Sequence, residues 1–206
     1  MSKDLYQARV TAPAPARPLV FAFHGTGGDE HQLFELAGQL VPGGGVISPR
    51  GDVSEMGATR FFRRTGEGVY DMDDLARATD KMTAFVEAHR AMHPGHPVYA
   101  FGYSNGANIL AAVLFKRPDL FDRVGLLHPL VTWEPEDQPG LAGRKVLITA
   151  GKRDPITPWA QSAALIDRLK AAGADVSTEV HDGGHELRNS ELTALTAFMR
   201  DDAGSA

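Results

Sequence analysis

The chain has 206 residues, 43% of them hydrophobic and 23% charged, which is typical of one globular domain over residues 1–206 and excludes a disordered chain. The formal net charge is −5 and the basic residues are scattered, which argues against nucleic-acid binding and against attachment to an anionic membrane. There is no cysteine, so disulfides, thiolate metal sites and a cysteine nucleophile are excluded.

The first residues, Met1-Ser2-Lys3-Asp4, lead into mixed sequence without the apolar core of a signal peptide. No run of about 18 apolar residues follows, as a membrane-spanning helix would need. We therefore expect a cytoplasmic protein with no stable membrane association. Residues 11–18, rich in Pro and Ala, are expected to form an ordered loop that leads into the first strand.

Short apolar runs alternate with segments of helical periodicity along the rest of the chain. Strands are predicted at residues 19–23, 45–48, 98–102, 124–127, 146–149 and 176–180. Helices are predicted from the cap Asp29, with Gln32 three residues on as in a capping box, to Leu40, and over residues 72–91 and 105–115. Two more are predicted from the cap Thr157 and first-turn Pro158 to Ala172 with Gly173 as C′, and over residues 186–199. The alternation predicts an α/β fold, a mainly parallel sheet with helices on both faces and with its chemistry beyond the carboxyl ends of the strands.

Residues 102–106, Gly-Tyr-Ser-Asn-Gly, match the Gly-x-Ser-x-Gly pattern of a nucleophile elbow. They lie between a predicted strand and a predicted buried helix, which is the context that the pattern requires. The glycines are needed because side chains there would collide with the neighbouring strand and helix. An ordinary Gly-Ser turn can produce the same five residues by chance, but the context favours Ser104 as a nucleophile.

A serine hydroxyl needs a base that takes its proton, and the imidazole of that base needs a carboxylate that orients it. His185 follows the last predicted strand in a loop with a glycine pair, and Asp154 follows the strand before it. The chain order Ser, Asp, His is that of the α/β-hydrolases. His128, at the end of another strand, is a rival for the base, and Asp154 taken alone would be a turn or cap residue.

Acyl transfer builds negative charge on the carbonyl oxygen, which backbone amides can stabilise. The amide of Asn105 belongs to the elbow, and a second amide is expected from the glycine-rich residues 24–28 after the first buried strand. The same glycines do not fit a dinucleotide-binding Gly-x-Gly-x-x-Gly motif, because its third glycine would fall on Glu30. The segment therefore favours an oxyanion hole.

The stretch of residues 50–71 is longer than ordinary connections and carries Phe61 and Phe62 among glycines and charges. These rings either fill the core beneath the loop or form a pocket wall beside Ser104. We expect the pocket wall, with Trp133 opposite. The chain has no room for a separate cap domain, so the pocket should be shallow and should favour short acyl groups, from acetate to butyrate.

These motifs resemble the phospholipase/carboxylesterase family of α/β-hydrolases, which includes acyl-protein thioesterases and small bacterial esterases linked to hydroquinone stress. The resemblance covers nearly the whole chain and rests on residues 24–30, 60–64, 102–108, 154–155 and 183–185. It implies that Thr26 donates the second oxyanion amide. Asn105 stands where acyl-protein thioesterases usually have Gln or Met, and residues 60–64 look like the hydroquinone-linked group, so lipid-derived acyl chains are not expected as substrates.

The sequence thus predicts a serine carboxylesterase that acts on a small-molecule ester through Ser104, His185 and Asp154, without a cofactor. Two alternatives use the same fold: a thioesterase or lysophospholipase with the same three residues, and a ligand-binding protein without activity. A metal site at His181, Asp182 and His185 is disfavoured, because alternating strand positions point to opposite faces, and no metal is expected. No nucleic-acid partner is expected, and a homodimer is left open.

Overall fold

The computed structural model describes residues 2–200 of the chain. In chain order its strands and α-helices are β1 (Ala8–Thr11), β2 (Leu19–Phe23), α1 (Phe34–Leu40), β3 (Gly45–Pro49), β4 (Val53–Glu55), β5 (Ala58–Arg60), β6 (Arg64–Gly66), β7 (Val69–Tyr70), α2 (Met72–Met92), β8 (Val98–Tyr103), α3 (Asn105–Lys116), β9 (Arg123–Leu127), β10 (Lys145–Gly151), α4 (Trp159–Ala171), β11 (Asp175–His181) and α5 (Asn189–Arg200). Short 3₁₀ turns lie at Ser2–Asp4, Pro118–Leu120 and Pro139–Leu141.

Seven strands form one sheet in the order β1-β3-β2-β8-β9-β10-β11. Neighbouring strands pair in parallel, except that β1 runs antiparallel to β3 at one edge. The strand β2 is buried along its whole length, which accounts for its continuous apolar sequence. The mainly parallel α/β fold predicted from the sequence is confirmed.

Helices cover both faces of this sheet. On one face, α2, α3 and α4 pack against apolar side chains that include Phe21, Val124 and Ile148. On the other face, α1 and α5 pack against a smaller set that includes Val20 and Phe101. None of the helices within residues 2–200 is both long enough and apolar enough to span a bilayer. Because both faces are covered, the polar chemistry is left to the loops at the ends of the strands.

The start of α1 differs from the prediction. Asp29 does not cap a helix, because its carboxylate accepts a hydrogen bond from the His31 amide and α1 begins only at Phe34. The Gln32 side chain does not close a capping box either. It accepts a hydrogen bond from the Gly25 amide at 2.9 Å and so holds the glycine-rich loop after β2.

The last two helices also begin later than predicted. The N-cap of α4 is Pro158 rather than Thr157, and the Thr157 hydroxyl donates a hydrogen bond to the His128 carbonyl oxygen at 3.5 Å. Gly173, with a φ of +84°, follows the end of α4 in the predicted left-handed conformation. The helix α5 begins at Asn189 instead of residue 186.

Two segments outside the predicted elements contain short strands. Residues 50–71 form two small antiparallel hairpins, β4 with β5 and β6 with β7. The sequence does not predict β1, because Ala-Arg-Val-Thr is only four residues long and half of the strand is exposed. Pairing with β3, a contact that is distant along the chain, defines this strand.

Candidate active site

The turn between β8 and α3 holds Ser104 in an unusual backbone conformation. Its φ is +53° and its ψ is −117°, a region that residues other than glycine rarely adopt, so the surrounding structure must impose the strain. The Ser104 amide donates a hydrogen bond to the Leu127 carbonyl at 2.9 Å, and its carbonyl accepts one from the Asn108 amide at 3.0 Å. These bonds fix the turn at the carboxyl end of β8, in the middle of the sheet.

Close backbone contacts account for the two glycines of this turn. A Cβ atom on Gly106 would lie 2.1 Å from the carbonyl oxygen of Phe23, and one on Gly102 would lie 2.6 Å from the backbone of Gly106. No side chain fits at either position unless β2 or α3 moves. The Gly-x-Ser-x-Gly pattern therefore has a direct steric cause in this chain.

Three side chains from three loops meet at this edge of the sheet. The Ser104 hydroxyl oxygen lies 2.8 Å from Nε2 of His185, and Nδ1 of the same ring lies 2.6 Å from Oδ2 of Asp154. Because a carboxylate only accepts, the proton of a neutral His185 is on Nδ1, and Nε2 accepts the hydrogen bond of the serine hydroxyl. This is the arrangement of a nucleophile, a base and an orienting carboxylate.

Asp154 is buried and held from several sides. Its Oδ1 accepts hydrogen bonds from the amides of Ile156 and Thr157 at 2.8 and 2.9 Å. Burial alone would raise the pKa of Asp154, but the Thr157 amide and the rings of His128 and His185 outweigh it and hold the pKa below its ordinary value. Asp154 is therefore an anion at neutral pH, as an orienting carboxylate must be.

The loop that carries His185 is bound to its neighbours. The Tyr103 hydroxyl donates a hydrogen bond to the His185 carbonyl oxygen at 2.7 Å. Gly151, at the end of β10, lets this loop approach closely, because a Cβ atom there would lie 2.1 Å from the carbonyl oxygen of Gly184. The His185 loop is thus held against the strand that Asp154 follows.

His128, the rival for the base, lies behind Asp154. Its Nδ1 is 2.9 Å from Oδ2 of Asp154, and its Nε2 is 2.9 Å from Oε1 of Glu191. The histidine that contacts Ser104 is His185. Position alone therefore favours His185 over His128 as the base.

The three residues of the disfavoured metal site do not converge. Asp182 is exposed and lies 3.4 Å from Lys152, whereas His181 is buried and lies 3.1 Å from Glu191. Ligand atoms within the described residues converge in two groups, His128 with His181 and Glu191, and His128 with Asp154 and His185. In the first group Nε2 of His128 and Nε2 of His181 lie 2.9 and 3.1 Å from the Glu191 carboxylate, but neither contact is aligned as a hydrogen bond.

The glycine-rich loop after β2 forms a tight turn. The Gly28 amide donates a hydrogen bond at 3.0 Å to the carbonyl three residues earlier, and Gly27, at the third position of the turn, has a φ of +81°. The amide of the second residue of such a turn, here Thr26, makes no hydrogen bond within the turn. Asn105 is the first residue of α3, so its amide has no acceptor within the helix. Thr26 and Asn105 line the same cleft as Ser104.

The long loop of residues 50–71 holds both of these amide donors. Nη1 of Arg60 donates a hydrogen bond to Oγ1 of Thr26 at 2.8 Å. The amide of Phe61 donates one to the side-chain oxygen of Asn105 at 2.8 Å. The loop therefore fixes the positions of Thr26 and Asn105, a role that the sequence does not predict.

His24 anchors the beginning of the glycine-rich turn. Its Nδ1 lies 2.7 Å from the Gly25 carbonyl, and its Nε2 accepts a hydrogen bond from the Gly51 amide at 2.9 Å. Burial lowers the pKa of His24, so the ring is neutral at neutral pH. It joins the turn to the start of the long loop.

A cleft of about 300 Å³ opens beside Ser104 and His185. Tyr70, Leu130 and Ile156 contribute its apolar walls. The Tyr70 hydroxyl donates a hydrogen bond to the Leu130 carbonyl at 2.9 Å, which fixes one wall. A larger hollow of about 550 Å³ lies at the opposite edge of the sheet, where the strands begin, and holds none of the predicted site residues. The smaller cleft is therefore the candidate site.

Solved structures share this fold over nearly its whole length. The protein Atu2452 of unknown function from Agrobacterium tumefaciens str. C58 superposes with a TM-score of 0.92 at 50% identity, covering 98% of both chains. A carboxylesterase from Bacillus cereus superposes with a TM-score of 0.89 at 33% identity, covering 95% of this chain and 94% of that chain.

Sequence comparison agrees with the structures. No family model matches the chain. MhqD of Bacillus subtilis (strain 168), a protein named as a hydrolase, is 39% identical over 185 residues, which cover 89% of this chain and 92% of MhqD. The chain belongs to the phospholipase/carboxylesterase family of α/β-hydrolases. The family resemblance predicted from the motifs is therefore confirmed, and the chain is a hydrolase of the carboxylesterase type.

The aromatic residues predicted as pocket walls lie elsewhere in this family member. Phe61 and Phe62 are 0% exposed and fill the core beneath the long loop. The Phe61 ring stacks on His24 at 4.5 Å, and the Phe62 ring meets the edge of Tyr70 at 4.9 Å. Trp133 is half-buried and lies 6.1 Å from the Tyr70 ring, behind the cleft wall. The predicted wall is wrong for all three, and the core alternative holds for Phe61 and Phe62.

Replacing Phe61 with Ala is expected to lower the free energy of unfolding by about 3–5 kcal/mol, because it leaves a cavity in a packed core. Denaturant unfolding followed by circular dichroism measures this loss. Met56→Ala, in the same loop, is the control, because Met56 is 99% exposed and its truncation should change stability by less than about 0.5 kcal/mol. If Phe61→Ala keeps the wild-type stability but changes the relative rates on esters of different chain length, Phe61 lines the pocket and does not belong to the core.

Proposed function

We propose that this protein is a serine carboxylesterase that hydrolyses short-acyl carboxylic esters through an acyl-enzyme intermediate. The observation that carries the proposal is the contact of Ser104 with His185 at 2.8 Å and of His185 with Asp154 at 2.6 Å, beside a cleft. The Bacillus cereus relative, a carboxylesterase, supports ester hydrolysis as the reaction class. The nucleophile, base and amide donors all belong to the chain, so the reaction needs no cofactor.

In the acylation step the Ser104 oxygen attacks the ester carbonyl carbon while Nε2 of His185 takes the hydroxyl proton. Asp154 holds the ring in this orientation and stabilises the imidazolium that forms. The bond between the carbonyl carbon and the alcohol oxygen then breaks. His185 gives its proton to the leaving alcohol, and the acyl group stays on Ser104.

In the deacylation step water attacks the acyl-enzyme, and His185 takes a proton from it. The serine oxygen then leaves with that proton, and the carboxylic acid is released. The amides of Thr26 and Asn105 would stabilise the oxyanion in both tetrahedral intermediates. Arg60 and the rest of the long loop hold these donors before charge develops, which is the preorganisation that makes such donors effective.

The dimensions of the cleft support small acyl groups. Its volume of about 300 Å³ lies at the low end of small-molecule sites. The Tyr70 hydroxyl donates to Leu130 and accepts a hydrogen bond from the Asn108 side chain at 2.9 Å, so this wall is held on both sides. A long acyl chain would have to displace packed residues or extend into solvent.

We expect kcat/KM for acetate and butyrate esters to exceed that for octanoate by about tenfold or more, because methylenes beyond the cleft meet its walls or remain in water. Initial rates on p-nitrophenyl esters, which share one leaving group, measure the profile. A butyryl thioester and a lysolipid are measured in parallel, and Ser104→Ala protein gives the background rate. Faster turnover of octanoate would contradict the short-acyl assignment, and preference for the thioester or lysolipid would contradict the ester assignment.

A further inference from the structure

A chain of buried ionisable side chains continues behind Asp154, and the esterase mechanism makes no use of its inner members. Oδ2 of Asp154, which contacts His185, also lies 2.9 Å from Nδ1 of His128. Nε2 of His128 lies 2.9 Å from Oε1 of Glu191. The side chains of Asp154, His128 and Glu191 are all 0% exposed. One imidazole thus lies between two carboxylates in the protein interior.

The protonation of His128 follows from these two neighbours. A neutral imidazole has a single N–H, so one of its two nitrogens would carry a lone pair within 2.9 Å of a carboxylate oxygen. At 2.9 Å, with no exposed surface, solvent could not compensate that repulsion. Protonation of both ring nitrogens removes the repulsion and places one cation between two anions.

The other groups around His128 are uncharged in the resting enzyme. His181, on β11, accepts a backbone amide at Nδ1, so its proton is on Nε2, which faces Oε2 of Glu191 at 3.1 Å. The ring centroids of His185 and Tyr103 lie 5.1 and 6.1 Å from that of His128. In the mechanism proposed above, Nε2 of His185 accepts the serine hydroxyl before the reaction, a role that only a neutral ring can have. The two carboxylates are therefore the charges that face His128.

The pKa shifts of His128 and Glu191 have the direction that a protonated His128 requires. Burial lowers the pKa of His128, but the contacts with Glu191 and Asp154 outweigh it and raise the pKa above its ordinary value. Burial raises the pKa of Glu191, but the contact with His128 and further hydrogen bonds hold it below its ordinary value. Both shifts favour the charged form of each group.

We propose that His128 is a buried imidazolium that, with Glu191 as its counter-ion, positions Asp154 and offsets part of the charge that Asp154 presents to His185. The inference rests on the proposed function, because this charge affects a reaction only if His185 is the base. His128 does not line the cleft, so it is a positioning residue. A cation 5.1 Å from the His185 ring disfavours a second positive charge there. The esterase should therefore reach its full rate at lower pH than it would without the cation.

The backbone at residue 128 lies in the left-handed region. His128 has a φ of +51°, a left-handed conformation that costs energy for histidine and that asparagine adopts more readily. Strain of this kind is common at functional sites. Asparagine is therefore the replacement to test at this position. His128→Asn tolerates the left-handed backbone, keeps a neutral N–H donor for Asp154 and removes the charge.

The pH dependence of kcat/KM on a short ester tests the role of His128. For the wild type, kcat/KM should rise with pH through one ionisation near neutral. His128→Asn should move the midpoint of this rise upward by about one pH unit, because a nearby cation is lost. The double variant His128→Asn/Glu191→Gln loses one charge of each sign. Its midpoint should lie between those of the wild type and His128→Asn. An unchanged midpoint in His128→Asn would overturn the proposal.

A matched control separates this effect from the loss of any histidine. His96 lies away from the cleft, with its Nδ1 2.6 Å from the Arg17 carbonyl, so His96→Asn should keep the wild-type midpoint. A shift of the same size in His96→Asn would also overturn the proposal.

Nitrogen-15 NMR of the histidine side chains tests the charge of His128 in the wild-type protein, whether or not it hydrolyses esters. We expect protons on both nitrogens of His128 above neutral pH, and on Nε2 alone for His181. A neutral His128, or a stoichiometric metal ion on its Nε2 found by elemental analysis, would overturn the inference. A doubly protonated His128 in a protein without hydrolase activity would contradict the proposed function and the kinetic role of His128, but not its charge.

Discussion

Replacing Ser104 with Ala is expected to lower kcat on a short ester by about 10⁶-fold, because the substitution removes the atom that becomes acylated. The loss in His185→Ala should be about as large, since the serine hydroxyl then keeps its proton. The double variant should be no worse than either single variant, because the residues act as one unit. Steady-state rates of the purified proteins on p-nitrophenyl acetate measure all three losses.

An exposed serine provides the matched control for this series. Ser177 lies on the exposed side of the edge strand β11, so Ser177→Ala should keep the wild-type kcat. The circular dichroism spectra of all variants should match the wild type. A folded Ser104→Ala protein with a rate near that of the wild type would exclude Ser104 as the nucleophile, and the same result for His185→Ala would exclude His185 as the base.

Asp154→Asn is expected to lower kcat by about 10⁴-fold while the fold is retained. The asparagine oxygen can still accept the amides of Ile156 and Thr157, which lie 2.8 and 2.9 Å from Oδ1 in the wild type. Its NH₂ group would then face Nδ1 of His185 and favour the wrong tautomer of the base. Rates on the same ester, together with the melting temperature, separate the loss of function from a loss of folding.

Asp182→Asn is the control for Asp154→Asn, because Asp182 is exposed in the same group of loops, and it should keep the wild-type rate. If Asp154→Asn kept a rate within a few fold of the wild type, Asp154 would be only the turn residue that it resembles in sequence. A rate loss in Asp182→Asn as large as that in Asp154→Asn would instead point to general damage to the loops.

The edge of the sheet that holds the candidate site could be predicted from local patterns. Ser104, Asp154 and His185 each follow a strand of the parallel sheet, and the carboxyl ends of parallel strands share one edge. The elbow glycines leave a clear signature because steric contacts demand them. The three side chains are in contact in the structure, and their catalytic roles stay predictions.

The packing of residues 50–71 could not be predicted, because large apolar rings look the same in a sequence whether they fill a core or line a pocket. Contacts distant along the chain decide between the two, such as the hydrogen bond from the Phe61 amide to Asn105. A contact outside the predicted helix also determines the position of the Gln32 side chain, which accepts a hydrogen bond from the Gly25 amide. Local propensity carries no information on such contacts.

The pairing of Glu191 is not predicted from the sequence, although the pattern of its helix carries a signal. The helix α5 buries Glu191 together with Leu195, Phe198 and Met199, so a carboxylate lies in the apolar stripe of an amphipathic helix. Such a group indicates a buried partner, because an unpaired charge in the core is costly. The partner, His128, is distant along the chain, so the pairing itself needed the structure.

The activation of Ser104 can be measured with a fluorophosphonate probe, which reacts with a serine oxygen only when a neighbouring base activates it. We expect one label per chain, located on Ser104 by peptide mass spectrometry. The label should be absent from Ser104→Ala and His185→Ala and should persist in the presence of a chelator. A wild-type protein that stays unlabelled, or that carries the label on another serine while Ser104 is unmodified, would show that this chain is not a Ser104 hydrolase.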